Sequence, residues 1–250
     1  DYIYLKDGCS GTNLIGLSFV TCRPNYDNST GITGLLIERC AGSVSNHNGL
    51  PVDQVLVKNS NINSINMASN WTNVLITNNL ITGQVSGSSS PSVLISNNVF
   101  ASNGSYVLQG VTYAVVSNNI FYGSSPSYDG GGVENCAFNN NLSFGTADDD
   151  LPPTGSNVGS GNQVGVDPQF VNVPDFTGDP DHNYDLQAGS PANNAGTDNT
   201  DLGVYGGGNP LVGAFDGRAR IPLVTNFVIN NSTIGEGGSL NVTVEGTKHD

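Results

Sequence analysis

The sequence predicts an all-β chain wound as a parallel β-helix: a solenoid of coils about 20 residues long with an asparagine ladder, a C-terminal capping region and a short β tail. Three observations carry this. A short apolar motif recurs at a nearly fixed spacing. No unit between recurrences has room for a helix. The charged fraction is only 11%, whereas helices usually pave their solvent faces with Glu and Lys.

The motif reads apolar-apolar-apolar-polar-Asn-Asn-apolar-apolar. Its copies are V55-L-V-K-N-S-N-I62, V74-L-I-T-N-N-L-I81, V93-L-I-S-N-N-V-F100 and A114-V-V-S-N-N-I-F121. Looser copies are L35-L-I-E-R-C-A-G42 and C136-A-F-N-N-N-L-S143. The starts lie 20, 19, 19, 21 and 22 residues apart. L14-I-G-L-S-F19 and Y2-I-Y-L5 fit earlier turns of the same pattern. One unit cannot cover its own apolar face, so units must stack. Stacked coils lie one strand spacing apart, ~4.8 Å. Asn79, Asn98, Asn119 and Asn141, with Ser60 upstream, then form a ladder in a turn. Each side-chain amide donates to one coil and accepts from the next, and Asn tolerates the left-handed backbone that such turns use. The rival architecture is an all-β sandwich.

Register assigns faces. Two columns point inward: Leu35/Val55/Val74/Val93/Ala114/Cys136 and Ile37/Val57/Ile76/Ile95/Val116/Phe138. Between them an outward column is also apolar: Leu36, Leu56, Leu75, Leu94, Val115 and Ala137. Outward strand positions usually alternate to polar, so this stripe should be covered, either by the chain's own C-terminal segment or by a partner. Self-covering is the favoured expectation. The next outward column holds Glu38 and Lys58 side by side, which reads as a surface ion pair.

The chain divides into coils over 1–145, closing coils and cap over 146–220, and a β-strand tail over 221–250 leading to a further module. The tail alternates apolar and polar around a GEGG turn and reads as two strands. The chain opens directly on strand-like sequence, as expected of a processed or truncated chain.

Lys+Arg number 7 against Asp+Glu 21, a formal charge of 7 − 21 = −14. That argues against nucleic acid, which needs clustered Lys and Arg, and against anionic membranes. No apolar run is long enough for membrane insertion. Cys9, Cys22, Cys40 and Cys136 form no zinc pattern. The spacing allows one disulfide among the first three, and Cys136 reads as a buried thiol. Several N-x-S/T sequons occur, but with 34 Asn residues chance explains most of them.

The stretches D167-P-Q-F-V-N172, N183-Y-D-L-Q-A-G-S-P-A-N-N-A-G196 and D201-L-G-V-Y-G-G207 resemble the closing coils of right-handed parallel β-helix proteins of the pectate-lyase-like superfold. They are similar to the version found in secreted and surface proteins exported by the type nine route. With the ladder copies, the resemblance covers roughly residues 1–215. It implies a right-handed helix and a secreted or cell-surface location. It implies little about activity, because that superfold hosts lyases, hydrolases, adhesins and spacers.

Lyases of that superfold project Lys or Arg from neighbouring coils, often beside Ca²⁺. Lys58 and Arg39 are the only candidates on the repeat strands, and Glu38 should neutralise Lys58. Glycoside hydrolysis needs two carboxylates at a set separation, and the strand copies carry no such Asp pair. No nucleophile-elbow motif is present, and His47 and His182 read as solvated. Asp179, Asp181, Asn183 and Asp185 offer oxygens at alternate positions, a spacing that can wrap Ca²⁺. Against this, the sixth position of that loop is Tyr184 rather than Gly and the twelfth is Ser190 rather than Glu. Calcium is thus the one cofactor the sequence suggests.

The expected function is non-catalytic: a secreted or cell-surface β-helix for adhesion or glycan contact, with Tyr106, Tyr113, Tyr122 and Tyr128 as candidate glycan-binding residues. The expected partner is a glycan or a component of the cell surface or secretion machinery. The alternatives are a lyase or hydrolase acting on acidic polysaccharide, and a passive spacer in a larger surface protein.

Overall fold

A computed structural model describes residues 1–88, 90, 92–103, 106–128, 131–146, 149–212, 215, 223–229 and 242–247. The chain divides into two compact units, Asp1–Gly217 and Arg218–Asp250. The first is a parallel β-solenoid. Its repeat sheet has eight strands: Asn13–Ile15, Ile32–Glu38, Val52–Lys58, Trp71–Thr77, Val93–Ser96, Val115–Ser117, Ala137–Asn139 and Val158–Ser160. Each pairs in parallel with the strand one coil away, so sequence order is spatial order. A second parallel sheet lies across the asparagine turn. It starts at Tyr2–Leu5 and ends at Leu142–Phe144.

The register is the one the repeat demands. Val55 pairs with Val74 and Val74 with Val93, while Ile37, Val57, Ile76, Ile95, Val116 and Phe138 follow one another strand by strand. Both inward columns are buried throughout. The second sheet adds its own inward column, Ile62, Ile81, Phe100 and Phe121. Phe100 and Phe121 stack at 4.9 Å and 7°. Burying each such side chain contributes about 1.5–3 kcal/mol, which a single coil cannot secure alone.

At each turn the two asparagines of a pair divide the work. The second builds the ladder. Asn79 donates its backbone N–H and its Nδ2 to Asn98 Oδ1, both at 3.0 Å. Asn98 does the same to Asn119, and Asn119 to Asn141. The ladder runs further than the motif copies suggested, from Cys40 and Ser60 at one end to Asn162 at the other. The left-handed backbone falls on the first asparagine instead: Asn59, Asn78, Asn97, Asn118 and Asn140 have φ between 51° and 60°, and Arg39 occupies the same position at 52°. The expectation that one residue does both jobs is thus corrected. A ladder amide must point inward along the stack, and the residue preceding it must turn the chain.

The first asparagines also hold the C-terminal segment. Asn140 donates to Ala195 O (2.7 Å), Asn118 to Thr197 Oγ1 (3.2 Å), and Asn78 to Val204 O and Gly206 O (2.9 and 2.8 Å). The segment therefore runs back along the solenoid, against the order of the coils. It covers the outward column of the second sheet, Leu80, Val99, Ile120 and Leu142. One coil before the cover begins, that column holds Asn61.

This corrects the expected fate of the apolar stripe on the repeat sheet. The C-terminal segment packs on the other sheet. Leu36, Leu56 and Leu75 stay half-buried, and Leu94 and Val115 are 36% and 37% exposed. The physical reason lies in the breadth of the two faces. The second sheet offers a second apolar row, Ala101, Tyr122 and Phe144, beside the first. The stripe instead borders polar rows such as Glu38/Lys58/Thr77/Ser96.

All four cysteines are free thiols, so no disulfide joins Cys9, Cys22 or Cys40. Burial pushes the Cys22 thiol up to about 12, with a smaller contribution from neighbouring Cys40. In the second unit, Leu223–Ile229 and Val242–Thr247 pair antiparallel, as the alternating tail implied. The GEGG turn lies outside the described residues.

Candidate functional site

Lys58 Nζ lies 3.4 Å from Glu38 Oε1, with both side chains about one-fifth exposed. This is the ion pair the register implied. Arg39 sits at a left-handed turn position and joins no ion pair among the described residues.

Two of the four side chains proposed for calcium, Asp179 and Asn183, make local turns. Asp179 Oδ1 accepts from the Asp181 N–H, and Asn183 Oδ1 from the Asp185 N–H, each at 2.9 Å. Both are Asx turns. No three His, Cys, Asp or Glu side chains among the described residues are grouped to hold a metal ion. His182 is not solvated as expected: its side chain is 15% exposed, with Nε2 4.0 Å from Asp179 Oδ2 and its ring near Tyr184.

Several carboxylates are pinned by hydroxyl and amide donors. Ser29 and Thr30 donate backbone N–H and hydroxyl groups to Asp7, and the Ser29 bonds hold its carboxyl below the usual range. Thr72 and Asn73 act likewise on Asp53, Thr177 on Asp175, and Thr200 on Asp198. These four acids are held ionised, which suits a structural role and not that of a general acid.

The four nominated tyrosines separate. Tyr122 is buried beneath the C-terminal segment, with its ring 4.6 Å from Phe176 and 5.2 Å from Phe170 and its hydroxyl donating to Val173 O. It is withdrawn as a glycan contact, because the column it stands in is the covered one. Tyr113 is exposed at a left-handed position. Tyr106 and Tyr128 pair across adjacent coils at 4.9 Å. Gln109 Nε2 reaches the Tyr128 hydroxyl at 3.5 Å. Beside them opens a cleft of about 300 Å³, lined by Tyr128, Gly131, Gly132, Val133, Glu134, Thr154 and Gly155. The glycines leave the floor low, and Glu134 supplies one carboxylate.

A second aromatic group was not nominated from the sequence. Tyr2 and Tyr4 alternate with inward-facing Ile3 and Leu5 and stand on the outer face of the second sheet, 49% and 42% exposed. The Y-I-Y-L alternation carried that signal.

No protein-family model matches the chain, and no curated protein matches it in sequence. The class the fold defines is thus architectural: an all-β parallel β-solenoid, capped along one flank by its own C-terminal segment.

Proposed function

We propose that this protein is a secreted or cell-surface β-solenoid that contacts glycans without catalysing a reaction, in adhesion or surface attachment. The observation that carries the reading is the Tyr106–Tyr128 pair, of which Tyr128 lines the cleft. Aromatic faces beside a shallow, partly polar recess suit a sugar ring, whose C–H face packs on tyrosine while its hydroxyls find polar partners. The solenoid supplies a rigid base, since both tyrosines stand on stacked coils rather than on one free loop.

The competing lyase reading has weaker support. Its best candidate, Lys58, is paired with Glu38, and Arg39 occupies a left-handed turn position. A glycan array probed with the intact chain tests the proposal. The expected result is a signal that Tyr128→Ala reduces and Lys58→Ala leaves intact. New double bonds formed on an acidic polysaccharide, lost in Lys58→Ala, favour the lyase. Silence across the array, with and without calcium, favours the passive spacer.

A further inference from the structure

The outer face of the second sheet carries a built aromatic platform over the first three coils. Tyr2 and Tyr4 stack at 6.0 Å and 13°, Tyr4 meets Tyr26 at 4.1 Å, and Tyr26 meets His47 at 4.4 Å. Arg23, in register with Tyr4, holds its guanidinium 4.8 Å from the Tyr2 ring centre and 6.0 Å from that of Tyr4. Lys6 lies 5.6 Å from the Tyr26 ring and 3.9 Å from Asp27. Arg23 has no carboxylate partner among the described residues. Cation–π contacts hold the rings in place while leaving the guanidinium N–H groups available.

From these observations we infer that this platform is a second binding site, separate from the cleft, for a neutral oligosaccharide. The exposed parts of the Tyr2 and Tyr4 rings offer packing area for the C–H faces of pyranose units. The Arg23 donors and the tyrosine hydroxyls meet equatorial hydroxyls. Charge selects against an acidic ligand. The chain as a whole carries −14, which repels a polyanion. Stable protein interfaces centre on an apolar core, whereas the register rows beside these rings, Thr21/Ser43 and Ser45/Asn66, are polar. The inference rests on the proposed function only for the premise that this protein meets glycans. The two sites can fail separately.

Calorimetric titration of the intact chain with cellohexaose, laminarihexaose and mannohexaose, beside polygalacturonate and heparin, tests it. At least one neutral hexaose is expected to bind with little salt dependence. Affinity should fall on the order of tenfold in Tyr2→Ala/Tyr4→Ala, fall less in Arg23→Lys than in Arg23→Ala, and hold in Tyr128→Ala. Tyr2, Tyr4 and Tyr128 are exposed and Arg23 is half-buried, and an unchanged melting midpoint verifies the fold. Binding lost in Tyr128→Ala but kept in the double variant overturns this site and leaves the proposed function standing. Binding of the acidic polymers alone, with steep salt dependence, overturns the neutral assignment. Failure of all five probes overturns the site, as does a protein partner captured through Tyr2 and Tyr4 in place of sugar.

Discussion

The two flanks of the solenoid present similar outward columns and meet opposite fates. On the second sheet, Leu80, Val99, Ile120 and Leu142 are sealed beneath the C-terminal segment. On the repeat sheet, Leu36, Leu56, Leu75, Leu94 and Val115 remain at the surface, half-buried or exposed. Apolar character in an outward column therefore does not decide whether it is covered. What differs is width and docking. The sealed flank has a second apolar row beside it and a file of first asparagines along its border that fix a returning backbone. The open flank is one residue wide between polar rows.

The sharpest way to break this contrast is to place the same charge on each flank. Ile120→Asp buries a carboxylate beneath the C-terminal segment and should destabilise the fold by roughly 3–5 kcal/mol. Leu94→Asp, at a position 36% exposed, should cost less than about 1 kcal/mol. Denaturant midpoints compare them, and equal losses would remove the distinction.

A smaller effect separates the asparagine pair. Asn119→Ala leaves the buried Asn98 N–H without its acceptor and should cost on the order of 2–4 kcal/mol. Asn118→Gly keeps the left-handed turn and loses only the bonds to Thr197, about 1–2 kcal/mol. Protease susceptibility of residues 191–206 should rise in the second variant more than in the first.

The smallest effect concerns the interior that both flanks share. Cys22, Cys40 and Cys136 all have thiols raised by burial, Cys22 from 9.0 to about 12. The unfolded chain ionises first as pH rises. It then holds fewer protons than the native chain, and stability falls. The contribution is complete below 9.0 and is lost progressively toward about 12. Midpoints measured on either side of 9.0 should show the decline, and Cys22→Ala should lessen it. A flat profile would mean that the thiols are not shielded.

Much of the coil interior was legible because the repeat prints it several times over. Val55, Val74 and Val93 announce one another at fixed intervals, and so do Asn79, Asn98 and Asn119. The returning segment was not legible. Asn118 finds Thr197 at a separation of 79 residues and Asn78 finds Gly206 at 128, with no periodicity linking them. One clue was present but unread: the switch from Asn61 to Leu80, Val99 and Ile120 marks where the cover begins. Of the candidate site, Tyr106 and Tyr128 were legible as residues but not as a pair. Tyr122 was misjudged because an outward register does not reveal what lies above it. The Tyr2–Tyr4–Tyr26 group lies where the repeat is loosest, so the motif does not point to it.

Ordinary solenoids touch only their nearest repeats and can fray one coil at a time. Here the chain doubles back, so the coil of Asn140 is fastened before that of Asn78 as the polypeptide is delivered from its N-terminus. Until Gly206 emerges, a growing rod carries an unsealed oily seam, and closure runs from the newest coil toward the oldest. Once closed, the seam couples the coils from Asn78 to Asn140, and these are expected to melt together in place of unravelling one by one.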